Sequence, residues 1–114
     1  MNTHFTYMYR DGSNWKECHT VILKGELKFT DIEPYLFEGE NFIPGDVGLP
    51  ELQARMRVFP NEDDHVWHET RPDFLEWNSD PPGKLTVKEL IARFKRAHAK
   101  GWQEDAAVTR LGIP

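Results

Sequence analysis

The chain has 114 residues and a mass of 13.3 kDa, with 39% hydrophobic and 29% charged residues and a formal charge of -5. A chain of this length suits one domain able to bury about two-thirds of its surface. A disulfide scaffold is excluded because Cys18 is the only cysteine. A membrane-spanning helix is excluded because no apolar run approaches ~18 residues.

The opening residues, Met1 to Phe5, lack the basic and apolar regions of a signal peptide, so a cytoplasmic protein is expected. Phe5, Tyr7 and Tyr9 alternate with Thr6 and Met8, the period of a half-buried strand. Asp11-Gly12-Ser13-Asn14 supplies a turn, and His19 to Leu23 returns with strong β-formers, which predicts a β-hairpin over residues 4 to 24. Thr30-Asp31-Ile32-Glu33 reads as a capping box opening a short helix near 30 to 38, with Ile32, Leu36 and Phe37 inward and Gly39 at its end. Phe42-Ile43 reads as a brief strand, and Pro50 as the first position of a short helix carrying Leu52 and Met56. Val66-Trp67 and Phe74 to Trp77 read as strands interrupted at Arg71-Pro72. Asn78-Ser79-Asp80-Pro81-Pro82-Gly83 is the linker, and a second capping box at Thr86 to Glu89 opens a helix over 86 to 100, closed by Gly101. Its apolar stripe is Val87, Leu90, Ile91, Phe94 and Ala97; Lys88, Arg93, Lys95, Arg96 and Lys100 form the opposite face.

These elements define an α+β fold: a small, mainly antiparallel sheet that starts with an N-terminal hairpin and is covered by two to three helices. Residues 1 to 114 form a single domain. Its acidic core, 1 to 78, has 15 acids against 7 bases; a linker and basic helical element, 79 to 114, has 4 acids against 7 bases. This asymmetry has two readings, a basic helix docking on an acidic body or a face that recognises an acidic partner such as nucleic acid.

Three stretches carry a resemblance: Tyr7-Met8-Tyr9-Arg10-Asp11-Gly12-Ser13-Asn14-Trp15-Lys16, Phe42-Ile43-Pro44-Gly45-Asp46-Val47-Gly48-Leu49-Pro50-Glu51-Leu52 and Asp63-Asp64-His65-Val66-Trp67-His68-Glu69. Over residues 5 to 70 the chain resembles a group of small bacterial proteins with a Tyr-Arg-Asp-x-Ser-Asn-Tyr/Trp-Lys start and a Trp-His-Glu close. The resemblance implies a small α+β protein and brings no activity with it. A second, local likeness is that of residues 104 to 114 to the first helix and turn of a helix-turn-helix. The chain stops at Pro114, where the recognition helix of that motif would start, so a terminal helix closing over the core is expected instead.

The densest polar cluster is Asp63 to Glu69. His65, His68 and Asp64 supply the ligand types of a divalent metal, with Glu69 as a base in a metal-dependent hydrolase; the alternative is two structural histidines where a loop enters a strand. Arg10 and Trp15 flank the predicted turn, either as a partner-binding anion fork and aromatic anchor or as turn and core supports. Arg93 and Arg96 are the partner-binding candidates on the basic helix, the basis of a nucleic-acid reading. Cys18 next to His19 is not a catalytic pair, because adjacent strand residues face opposite ways, and a buried structural cysteine is expected. No nucleophile elbow and no phosphate-binding glycine loop is present. The expectation is therefore a non-catalytic accessory or regulatory protein without a resident cofactor. Its partner would be another protein or, through an exposed sheet edge, a second copy.

Overall fold

The computed structural model describes all 114 residues. Strand β1 (Asn2–Arg10) and strand β2 (Lys16–Leu23) form the expected hairpin, paired antiparallel from Thr3↔Leu23 to Arg10↔Lys16. The other edge of β1 is shared. Its first half pairs with β5 (Leu75–Asn78), and Met8 and Tyr9 pair with β4 (His68–Glu69), which in turn pairs with β3 (Asn41–Phe42). The result is a five-stranded antiparallel sheet built around β1.

Alternation along β1 puts Thr3, Phe5, Tyr7 and Tyr9 on the buried face, each with no exposed surface. Helix α1 (Val87–Lys100) lies over that face through Val87, Leu90, Phe94 and Ala97. The Phe94 ring meets Phe42 edge-on at 5.2 Å and Phe5 at 6.4 Å. Removing a ring so enclosed leaves a cavity that costs about 3–5 kcal/mol. Both ends of α1 match the sequence signals: the Thr86 hydroxyl accepts from the Glu89 N–H at 3.1 Å, and Gly101 closes the helix at φ 88°. The core joining Phe5, Tyr7 and Phe42 to Leu90 and Phe94 thus spans the acidic and basic parts of the sequence.

The region between the hairpin and α1 departs from the sequence reading. Residues 30 to 38 form no α-helix but two single 3-10 turns, Phe29–Asp31 and Glu33–Tyr35. Pro34 explains this. With Thr30 as the cap, residue 34 is the first whose N–H would donate into the helical ladder, and proline has none. The cap itself is shifted, with the Asp31 carboxylate accepting from the Lys28 N–H at 3.0 Å. The short helix expected after Pro50 is likewise a 3-10 turn, Gln53–Arg55, and the strand expected at Val66-Trp67 begins two residues later at His68. Pro44–Val47 adds a further turn ending at Gly48 in the left-handed region, φ 71°. A Cβ at Gly48 would stand 2.8 Å from the Arg93 guanidinium, which donates to the Val47 carbonyl.

Helix α2 (Glu104–Leu111) closes a smaller apolar cluster of Ile43, Val66 and Ala107. The Asp46 carboxylate accepts from the Gln103 N–H at 2.9 Å, and Arg110 pairs with Glu51, fixing both ends of α2 to the 44–51 segment. No helix of the chain is long and apolar enough to cross a membrane.

Candidate functional site

Two polar regions meet at the hairpin's far end. The first is enclosed. Tyr9 faces the core from β1, and a buried phenol needs a partner. Its hydroxyl donates to Asp64 Oδ1 at 2.5 Å and accepts from the His65 N–H at 3.2 Å. Burial, together with the neighbouring Asp64 carboxylate, raises the Tyr9 pKa well above its ordinary value. Asp64 Oδ2 accepts from the Asn61 N–H at 2.8 Å. His65 Nε2 donates to the Arg10 carbonyl at 2.6 Å, while its Nδ1 accepts from the Trp67 N–H at 3.0 Å. His68 is 1% exposed; its Nε2 accepts from the Leu52 N–H at 3.0 Å, and its Nδ1 donates to the Val66 carbonyl at 3.2 Å. Burial holds its pKa down to about 3, so the ring is neutral.

The sequence cluster His65, His68 and Asp64 is thus brought together in space, but every ring nitrogen is already engaged with a backbone group. No group of three or more His, Cys, Asp or Glu side chains is arranged to hold a metal ion. Glu69, the companion base of that reading, is paired with Arg10 at 3.0 Å. What this arrangement does chemically is lock the 61–68 segment against β1.

The second region is open. The hairpin turn and residues 55 to 63 face each other across a groove of about 750 Å³. The turn is held from inside: Asp11 Oδ1 accepts from the Ser13 and Trp15 N–H groups, both at 2.9 Å, and Asn14 takes the left-handed conformation at φ 67°. Arg10 reaches over it to Asn14 Oδ1 at 2.9 Å, so its guanidinium is engaged by Asn14 and Glu69 and supports the turn. The opposite wall is tied to the turn as well, through Gly12 N–H to the Asp63 carbonyl at 2.8 Å and Ser13 Oγ to Asp63 Oδ2 at 2.5 Å.

Trp15 projects from this braced turn with 71% of its surface exposed, opposite Val58 at 64%. Three cations, Lys16, Arg55 and Arg57, line the same groove. Three acids line it too: Asp11 and Asp63 accept hydrogen bonds from the turn, while Glu17, like Lys16 and Arg57, makes no ion pair and no side-chain hydrogen bond. Arg55 donates to His19 Nδ1 at 3.2 Å; burial first, and then this guanidinium, lower the His19 pKa. A shallower apolar recess of about 360 Å³ lies elsewhere, between Leu27–Phe29 and Leu75–Trp77, and no acid lines it.

The structure distributes the remaining candidates as follows. On α1, Arg93 is half-buried against Val47 and Glu89, while Lys88, Lys95, Arg96 and Lys100 are exposed. Cys18 is exposed, contrary to the buried cysteine expected. It lies on the face of the edge strand β2 that no helix covers, whereas the neighbouring His19 faces inward beside Tyr7 at 5.7 Å. Trp67 stacks on Phe37 at 4.6 Å, and the indoles of Trp77 and Trp102 donate to the Leu27 and Tyr35 carbonyls. Of the four tryptophans, Trp15 is the most exposed, with Trp77 next at 42%. Sequence reasoning missed the 55–63 wall; the basic and apolar alternation of Arg55-Met56-Arg57-Val58 is its only local trace. No family model, curated protein or solved structure matches the chain.

Proposed function

We propose that this chain is a non-catalytic binding module that grips a segment of another protein in the groove between the hairpin turn and residues 55 to 63. The observation that carries this reading is Trp15, a large apolar side chain left exposed on a turn whose backbone is held by Asp11, Asn14 and Asp63. An aromatic group presented rigidly loses little conformational freedom on contact, which is why tryptophan recurs at the energetic centres of interfaces. Lys16 and Arg57, two unpaired cations against the single unpaired acid Glu17, favour a partner segment with an acidic residue next to an apolar one.

The test is a displayed library of short peptides selected on the full chain, with affinities measured for wild type, Trp15→Ala and Arg57→Glu. Selected sequences should combine an acidic and an apolar residue, and each substitution should weaken binding at least tenfold. Undiminished binding to Trp15→Ala would remove the groove from consideration. The exposed cations of α1 provide the comparison: binding of single- or double-stranded DNA or RNA that falls steeply with salt and is lost in Arg96→Glu would instead support a nucleic-acid partner.

A further inference from the structure

The hairpin leaves one strand edge unused, and its hydrogen-bonding phase is fixed. Asp11 N–H donates to the Trp15 carbonyl at 3.0 Å, so the bonded pairs of the antiparallel ladder recur every second residue from there: Tyr9/Glu17, Tyr7/His19 and Phe5/Val21. The peptide groups of Lys16, Cys18 and Thr20 consequently point away from β1, and all three residues are exposed. Beyond Val21 the edge is occupied, since the Ile22 carbonyl accepts from Gly83 N–H at 2.9 Å and Lys24 N–H donates to the Leu85 carbonyl at 3.0 Å. Before Lys16 the chain turns away. The open stretch is residues 16 to 20, with Cys18 at its centre.

We propose that this edge pairs with the same edge of a second copy, antiparallel about a two-fold axis at Cys18, joining the two sheets into one. In this register Cys18 faces its own mate and Lys16 faces Thr20 of the second copy. Each of these outward pairs exchanges two backbone hydrogen bonds. Glu17 then stands directly opposite His19 of the second copy. Within its own chain Glu17 has no ion pair or hydrogen-bond partner for its side chain. The His19 ring, with Nδ1 accepting from Arg55, keeps its Nε2–H free. A carboxylate therefore meets a ring donor backed by a guanidinium, twice by symmetry. Charged side chains commonly guard edges against such pairing. Here Lys16 meets Thr20 and Glu17 meets a donor, so this register sets no like charges against each other. A stretch of five residues makes a small contact, and self-association in the micromolar range is expected rather than an obligate dimer.

The experiment is sedimentation velocity on the full chain under reducing conditions, from about 10 to 500 µM. It is combined with cross-linking of Cys18 by a short bifunctional maleimide. Wild type should shift with concentration toward twice the 13.3 kDa of one chain and cross-link through Cys18. Thr20→Pro removes an outward N–H that nothing in its own chain uses, and should cut cross-link yield at least tenfold while far-ultraviolet circular dichroism stays unchanged. Should Thr20→Pro not fold, Glu17→Lys, which sets a lysine against the second copy's Arg55, should weaken association comparably. A chain that stays monomeric throughout the range overturns the proposal. So does a dimer that both substitutions leave intact, since its interface must lie elsewhere.

Discussion

Acid should destabilise this protein well before its carboxylates titrate, and the reason is His68. The ring is enclosed by Tyr7, Tyr9 and Phe42 at 5.9, 5.2 and 6.4 Å, and its Nε2 is the acceptor for the Leu52 N–H. Protonation would place a buried charge among aromatic rings and set one N–H against another, so the folded-state pKa is held to about 3. In the unfolded chain the same ring titrates near 6.5. Because the folded value lies below the unfolded one, the unfolded chain binds a proton first as pH falls. The stabilisation is complete above about 6.5 and declines from there toward 3. Between pH 7 and pH 5 the loss is about 2 kcal/mol, a large share of a small domain's stability. His19, also lowered, acts in the same sense. Urea denaturation at pH 7, 6 and 5 on wild type and His68→Gln measures the effect. The variant will be less stable at every pH because a packed ring is gone, so the comparison is of slopes. Wild type should lose about 2 kcal/mol more than the variant across the window. Parallel slopes, or a His68 proton resonance titrating near 6.5 in the folded protein, would refute the reasoning.

Other substitutions probe other links. Tyr9→Phe leaves Asp64 Oδ1 without the phenolic donor and the His65 N–H without an acceptor; it should cost about 1–3 kcal/mol and raise amide exchange at His65 by NMR. Thr86→Ala removes the cap of α1 and should cost about 1 kcal/mol in thermal or urea denaturation. Gly48→Ala forces a side chain into a left-handed backbone position and against Arg93; it should destabilise by about 1–2 kcal/mol, a loss that Arg93→Ala in the same chain reduces. Trp15→Ala should leave the unfolding free energy within about 0.5 kcal/mol of wild type while weakening partner binding, because most of the side chain is exposed.

The hairpin and α1 were readable in the sequence because local rules and tertiary packing agree there. Alternating aromatics lie on the buried side of β1, and Thr86 and Gly101 mark the ends of the one strongly amphipathic helix. Residues 30 to 74 were not readable to the same depth. Their turns are held by partners distant in the chain: Tyr7 to the Pro50 carbonyl at 2.5 Å, Gln53 to the His65 carbonyl at 2.9 Å and His68 to the Leu52 N–H. No periodicity announces such bonds. Pro34 shows the cost of one position, since a proline harmless at the first helical residue removes the first ladder bond at the fourth. At the candidate site, sequence singled out Trp15 by type and turn context, and singled out the histidine cluster by density. Density did not reveal that both imidazoles were already engaged with backbone groups, and the groove's second wall comes from residues about 40 positions away from the turn.

The divided flank of β1 has a consequence for how the chain is made. Phe5 pairs with Leu75, and Tyr9 with His68, so a ribosome that has released the hairpin has yet to deliver either neighbour. At synthesis rates of roughly 5–20 residues per second, the nascent strand waits about 2 to 10 seconds after the hairpin is complete with that flank's backbone groups unpaired. Until then the flank offers free donors and acceptors to any other extended chain, a vulnerability the finished fold no longer displays on that side.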